Sequence, residues 1–159
     1  MKLTDEMKNV LKVGSDSSVV TYITTSSCDG SCNVHLQPYT DVYKDEFIFA
    51  PDLFAQKTKI NINENRLAVL TIAHPSEGKT WAFRGPCNLI QWGHPPKFNF
   101  HGVTAGDVLE KWGDWGSLES FDSVDDDIKP KAIGQRGVFV LKVEEVYSYK
   151  ADESGSKIL

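Results

Sequence analysis

The hydrophobic pattern of the chain starts with helical spacing and then changes to the alternation typical of strands. Thr4 can cap a helix that runs to about Lys12 and carries an apolar stripe on one side. From residue 18 to Thr25 the sequence is β-branched and aromatic, and residues 28–31 form a Cys-Asp-Gly-Ser turn before a second extended stretch at residues 33–40. The pattern therefore predicts a helix followed by a β-hairpin.

The middle of the chain continues with strands around one short helix. Residues 45–50 predict a third strand, and Asp52 is placed to cap a helix over residues 53–63. A mostly continuous apolar run at residues 66–73 predicts a further strand, and a long strand follows at residues 80–92. We thus expect three consecutive antiparallel strands, a helix and two more strands.

The last third of the chain predicts one helix, over residues 105–112, and one closing strand, over residues 137–149. About six strands without repeated βαβ units favour a mainly β antiparallel barrel or sandwich with short helices. We expect one domain over residues 1–150 and a frayed tail at residues 151–159. An insert at residues 93–131 can serve as a lid or pocket wall, or as a packing arm across a dimer.

Composition narrows the choice of partners. The chain has 22 acidic and 17 basic residues, a formal charge of −5, and no cluster of Lys and Arg. We therefore expect no binding to nucleic acid or to an anionic membrane surface. The charged N-terminus does not have the form of a signal peptide, and no run is long enough to span a membrane, so we expect a cytoplasmic protein.

The three cysteines do not form the pattern of a secreted disulfide framework. A weak zinc-site pattern is formed by Cys28 and Cys32, which flank a turn, together with His35. The sequence has no second set of ligands with matching spacing to complete it. Ordinary strand and turn cysteines are the favoured interpretation, and we predict no metal site.

The segment at residues 51–61 carries the most specific candidate chemistry. It places Lys57, Thr58 and Lys59 near the start of a helix that directly follows a strand. A phosphate can accept hydrogen bonds from the Thr58 hydroxyl and from backbone N–H groups while Lys57 supplies a positive charge. From residue types alone, solvated lysines on a surface helix are the favoured alternative.

Arg84 and Gly85 lie within the predicted long strand. Arg84 can supply a second phosphate charge or pair with an acidic residue. Gly85 can permit a bulge or a close approach of another backbone segment.

The order of elements, together with the phrase Gln-Lys-Thr-Lys-Ile-Asn-Ile-Asn-Glu-Asn-Arg-Leu-Ala-Val-Leu at residues 56–70, resembles the FMN-binding split-barrel family. This family includes pyridoxamine 5′-phosphate oxidase and small FMN-binding proteins. The resemblance covers residues 3–89 and the last strand. It implies a six-stranded antiparallel split β-barrel of Greek-key type, in a homodimer with FMN between the subunits. It also implies, by position, a set of flavin-binding residues: His35, Leu36, Gln37, Pro38, Pro51, Asp52, Leu53, Lys57 and Thr58.

The resemblance implies an FMN-dependent oxidoreductase acting on a small-molecule substrate or electron donor, with the redox chemistry supplied by the flavin. The chain lacks the Arg- and His-bearing C-terminal phrase typical of true pyridoxamine 5′-phosphate oxidases, so vitamin B6 is not implied as its substrate. A non-enzymatic flavin carrier is an alternative. A split barrel that binds a deazaflavin or haem is another, with His74, His94 and His101 as candidate haem ligands. No catalytic residue is predicted.

Overall fold

The computed structural model describes residues 2–11, 18–37, 39–52, 55–91, 98–112, 137–150 and 156–157. Its three α-helices are α1 (Asp5–Leu11), α2 (Gln56–Glu64) and α3 (Ala105–Trp112). The first strands are β1 (Val20–Ser26), β2 (Cys32–Leu36), β3 (Asp41–Tyr43), β4 (Phe47–Pro51), β5 (Leu67–His74) and β6 (Lys79–Gln91). They are followed by β7 (Asn99–Phe100), β8 (Val103–Thr104), β9 (Gly137–Lys142), β10 (Glu145–Tyr149) and β11 (Ser156–Lys157).

The main sheet is antiparallel and follows the order β2-β1-β5-β6-β9-β4-β3, with β10 on the first half of β6 and β11 on β10. Its inner side contacts α1 and α2 in one core, which contains Ile23 and Phe83 from one part of the sheet and Ile48 and Phe139 from the other. The prediction of a mainly β antiparallel chain with short helices is confirmed. None of the helices in the described part of the chain is long and apolar enough to cross a membrane.

Two features of the N-terminal half agree with their sequence signals. The Thr4 hydroxyl accepts a hydrogen bond from the Met7 N–H at 3.3 Å, as expected of a residue that caps α1. The β1–β2 hairpin turns at Gly30, whose φ of 86° lies in the left-handed region that glycine adopts without strain.

The predicted third strand begins two residues later than expected. Lys44 and Asp45 have φ angles of 51° and 57°, so Asp45 belongs to the turn before β4. The Asp45 carboxylate accepts a hydrogen bond from Lys8 of α1 at 3.1 Å, and its carbonyl accepts one from the Leu3 N–H at 2.7 Å. These contacts with α1 hold Asp45 in the turn.

The extended stretch predicted at residues 33–40 is divided in the structure. β2 ends at Leu36, and β3 begins at Asp41 and pairs with β4. β2 and β3 lie at opposite ends of the sheet order, so the prediction of three consecutive paired strands was wrong. The chain thus passes from one end of the sheet order to the other between Leu36 and Asp41.

The predicted closing strand is also divided, into β9 and β10. Both pair with the same edge of β6, and the break between them falls opposite Gly85. The Glu144 N–H donates to the Arg84 carbonyl at 2.9 Å, while the Val143 N–H donates to the Glu46 carbonyl at 2.9 Å. A Cβ at Gly85 would lie 1.9 Å from the Lys142 carbonyl oxygen, so the close backbone approach predicted for this glycine is present.

The described part of the insert packs on its own chain. Phe100, Val103 and Val108 form a second apolar cluster with Phe49 and Val140, on the side of β4 and β9 away from the first core. Thr104 and Asp107 exchange hydrogen bonds at the start of α3: the Asp107 N–H donates to the Thr104 hydroxyl at 3.2 Å, and the Thr104 N–H donates to the Asp107 carboxylate at 2.8 Å. Hydrogen bonds to the Asp107 carboxylate from the Tyr43 hydroxyl, and then from the Thr104 hydroxyl and N–H, hold the pKa of Asp107 well below its usual range.

Candidate functional site

The candidate site begins where β4 ends and α2 begins, and Asp52 organises this junction. Its side chain is buried, and its Oδ2 lies 2.9 Å from the Lys59 Nζ. Its Oδ1 accepts a hydrogen bond from the Ala55 N–H at 3.3 Å, and its own N–H donates to the Gly137 carbonyl at 3.0 Å. Asp52 therefore connects α2 to the start of β9.

The helix begins later than the sequence predicted. Ala55, and not Asp52, occupies the N-cap position of α2, and alanine has no side-chain acceptor for the N–H groups of the first turn. No acidic residue lies in that turn. The first turn of α2 thus presents N–H groups to which an anion can bind.

The two lysines near the start of α2 have different environments. Lys57 is exposed, whereas the Lys59 side chain is only 17% exposed and is paired with Asp52. The charge of Lys59 is thereby balanced within the protein. Lys57 is the lysine of this pair that faces solvent.

Thr58 is fully buried, and its hydroxyl accepts a hydrogen bond from the Asn33 Nδ2 at 3.0 Å. Asn61, one turn later, is also fully buried and donates from Nδ2 to the Thr25 hydroxyl at 3.1 Å. Neither Asn33 nor Asn61 was predicted from the sequence to belong to the site. The available signal was the strand alternation, which places Asn33 opposite Thr25 and on the same inner face.

The predicted flavin-lining residues of β2 lie on alternate faces. His35 is half-buried on the inner face opposite Ile23, whereas Leu36 is 54% exposed on the outer face opposite Tyr22. Gln37 is fully buried and donates from Nε2 to the Pro51 carbonyl at 2.9 Å, so the structure brings these two predicted residues together. The Gln37 Oε1 has no hydrogen-bond partner within the described residues.

The other residues predicted to bind the flavin do not form one group in the described part of the chain. Pro51 is the buried last residue of β4, opposite Val138. Pro38 and Leu53 lie outside the described residues. Arg84 is on the outer face of β6 and pairs with Glu145 at 2.9 Å, as one of its two sequence interpretations proposed, and it is not brought to the start of α2.

A carboxylate lies in the β1–β2 turn near Lys57. The Asp29 carboxylate accepts hydrogen bonds from the Ser27 hydroxyl and, at 2.8 Å, from the Ser31 N–H. These bonds, together with the charge of Lys57, hold the pKa of Asp29 well below its usual range. Asp29 is therefore ionised at neutral pH.

The described cysteines and histidines that were considered as metal or haem ligands are distributed over several elements of the fold. Cys28 and Cys32 are exposed, and Cys87 is buried, which raises the pKa of its thiol. Within the described residues, no three His, Cys, Asp or Glu side chains come together as a metal site. Of the histidines considered for haem, His74 ends β5 and His101 follows β7, while His94 lies outside the described residues.

No family model matches the sequence, and no curated protein matches it. Solved structures do match the fold over almost the whole chain. HupZ from Group A Streptococcus has 14% identity and a TM-score of 0.64, covering 97% of this chain and 98% of that one. A pyridoxamine 5′-phosphate oxidase-related, FMN-binding protein from Nostoc punctiforme has 11% identity and a TM-score of 0.58, covering 93% and 81%. An F420 reductase has 12% identity and a TM-score of 0.57, covering 91% and 98%.

At these identities the likeness is one of fold. The chain has the fold of the pyridoxamine 5′-phosphate oxidase-like, FMN-binding proteins, and the resemblance inferred from the sequence is confirmed at that level. The three neighbours are described as HupZ, an FMN-binding protein and an F420 reductase. The fold alone therefore does not assign a ligand or a substrate to this chain.

Proposed function

We propose that this protein binds FMN and acts as an FMN-dependent oxidoreductase. The observation that carries the proposal is the start of α2, where the exposed Lys57 lies in a first turn that has no side-chain cap. Helix N-termini with this arrangement bind phosphate because the unpaired N–H groups and the helix dipole favour negative charge. FMN differs from riboflavin by a phosphate, which is the group this turn suits.

The residues around this turn fit a flavin phosphate in a specific way. Lys57 supplies the charge, because Lys59 is already neutralised by Asp52. Thr58 contributes through its place in the helix, since the residue is fully buried and its hydroxyl is bonded to Asn33. Among the other predicted residues, Gln37 has a buried acceptor, Oε1, without a partner in the described part of the chain, and the imide N–H of a flavin is a donor that suits it.

FMN, when bound, supplies the redox chemistry through its isoalloxazine ring. The protein's own residues then have the tasks of binding and orientation: Lys57 and the α2 turn for the phosphate, and His35, Gln37 and Pro51 for the ring. This division of tasks is consistent with a chain that has no recognisable catalytic triad or dinucleotide-binding motif.

The test compares FMN and riboflavin binding to the wild type and to Lys57→Ala, by fluorescence titration and absorbance spectra. Loss of a charged phosphate contact is expected to weaken FMN binding by roughly 10- to 100-fold and to leave riboflavin binding within about twofold. Lys79→Ala is the control, because Lys79 is also a partly exposed lysine but pairs with Glu77 at the β5–β6 turn. Wild-type protein that binds no FMN, or a spectrum of bound haem or deazaflavin, would contradict the proposal.

We further propose that the protein is a homodimer that uses the outer face of β2, β1 and β5. Val34 is 60% exposed and Leu36 is 54% exposed, and both lie on this face beside Tyr22. In the row that starts at Val34, Thr24 of β1 comes next and is followed by the half-buried Val69 of β5. Large apolar side chains exposed on a sheet are typical of an interface, and a second copy of the same face is self-complementary in a two-fold dimer.

Leu36→Lys is expected to shift the protein from a dimer to a monomer, because it places a charge within the apolar face. Light scattering on the wild type is expected to give twice the chain mass of 17.7 kDa. Glu110→Lys is the control for added positive charge. Glu110 is an exposed residue of α3, which packs against β4 and β9 and not against the proposed interface. A wild-type monomer, or a Leu36→Lys dimer of unchanged stability, would show that this face is not the interface.

A further inference from the structure

One face of α2 is attached to the β1–β2 hairpin by a series of side-chain hydrogen bonds. Each bond joins a residue of α2, or its C-cap Asn65, to a strand residue, and these positions are separated by three and four residues, so they lie on the same side of the helix. The pairs are Thr58 with Asn33 at 3.0 Å, Asn61 with Thr25 at 3.1 Å, and Asn65 with Ser26 at 2.9 Å.

These bonds are made largely out of contact with water. Thr58 and Asn61 are fully buried and Thr25 is 2% exposed. A buried polar group that loses its partner pays the full cost of desolvation, so each bond constrains the distance between helix and hairpin more strongly than a surface bond would. The Asn33–Thr58 bond is the one at the first turn of the helix, next to Lys57.

We propose that Asn33 is a positioning residue for the phosphate site. It acts through the Thr58 hydroxyl, which it fixes from β2, and thereby sets where Lys57 and the N–H groups of the first turn lie. The inference rests on the proposed binding of FMN at this turn. It assigns the Thr58 side chain to the attachment of the helix, in place of the direct phosphate contact that the sequence suggested.

A double-mutant cycle separates positioning from direct contact. The variants are Asn33→Ala, Thr58→Val and their combination, and the readout is the ratio of the dissociation constants for riboflavin and FMN. If Asn33 acts through Thr58, each single variant lowers this ratio by about fivefold and the double variant lowers it no further, because the same hydrogen bond is lost in all three. Thr58→Ser, which keeps the hydroxyl, is expected to retain the wild-type ratio.

Ser26→Ala is the matched control, because it removes the same type of bond at the other end of α2. It is expected to leave the ratio unchanged. Amide hydrogen exchange of the ligand-free protein supplies an independent readout: the first turn of α2 is expected to exchange faster in Asn33→Ala and Thr58→Val, and at the wild-type rate in Ser26→Ala.

Three results would overturn the inference. A larger loss in Thr58→Val than in Asn33→Ala, with additive effects in the double variant, would indicate direct contact of the Thr58 hydroxyl with phosphate. An equal loss in Ser26→Ala would indicate general destabilisation. A wild type that does not prefer FMN to riboflavin would overturn the proposed phosphate site itself, and the positioning role with it.

Discussion

Gly85→Ala is expected to destabilise the protein by roughly 3 kcal/mol or more, which is a large fraction of the stability of a single domain. An added Cβ would lie 1.9 Å from the Lys142 carbonyl oxygen and 3.2 Å from the Glu144 nitrogen. Both are backbone atoms, and the Glu144 N–H is held by the Arg84 carbonyl at 2.9 Å. Relief therefore requires the junction of β9 and β10 to separate from β6. Urea denaturation monitored by circular dichroism measures the change.

Gly106→Ala is the control for this substitution. Among the described residues, a Cβ at Gly106 meets only the Thr104 hydroxyl oxygen, at 3.6 Å, and Gly106 lies in α3. Alanine is the better helix former there, so the variant is expected to be neutral or more stable by up to about 1 kcal/mol. If Gly85→Ala unfolded at the same urea concentration as the wild type, the close approach of the strands at this point would be refuted.

Asp52→Ala is expected to lower the free energy of unfolding by about 3 kcal/mol, because it leaves Lys59 without its partner in a largely buried place. It also removes the acceptor for the Ala55 N–H. Thermal and urea unfolding measure the effect. Asp5→Ala is the control: Asp5 pairs with Lys8 at 2.8 Å but is 93% exposed, so its loss is expected to change stability by less than about 1 kcal/mol.

The pairing is tested further by Asp52→Leu combined with Lys59→Met. Replacing both members with apolar side chains removes the uncompensated charge, so the double variant is expected to be more stable than Asp52→Ala. Equal losses in Asp52→Ala and Asp5→Ala would mean that Asp52 does not hold the start of α2.

Local signals were sufficient for the elements whose structure depends on neighbouring residues. The β1–β2 turn needs the left-handed φ that Gly30 supplies, and α1 begins where Thr4 can accept a hydrogen bond. The two broken strands depend on distant contacts. The break between β9 and β10 follows from the approach to Gly85, and the end of β2 follows from the transfer of the chain to the other end of the sheet. The local signs of these breaks are slight: Pro38 lies at the first, and the consecutive charged residues Glu144 and Glu145 interrupt the alternation at the second.

The candidate site was predictable to a similar extent. The position of a Lys-Thr-Lys phrase after a strand indicated the helix start, but not which lysine is free to bind an anion. That depends on Asp52, seven residues before Lys59, which the sequence assigned to helix capping. Strand alternation places Asn33 on the inner face, but its role depends on the packing of α2 against a hairpin 25 residues away in the chain, which alternation does not predict.

The alternation of β2 limits how the turn before it can change in length during evolution or engineering. Asn33 faces α2, while Val34 faces outward. An insertion or deletion of one residue at positions 27–31 that shifted the strand register would exchange the two faces, turning the amide outward and the valine toward the helix. A change of two residues would preserve both faces. This hairpin can therefore tolerate even changes of length far better than odd ones.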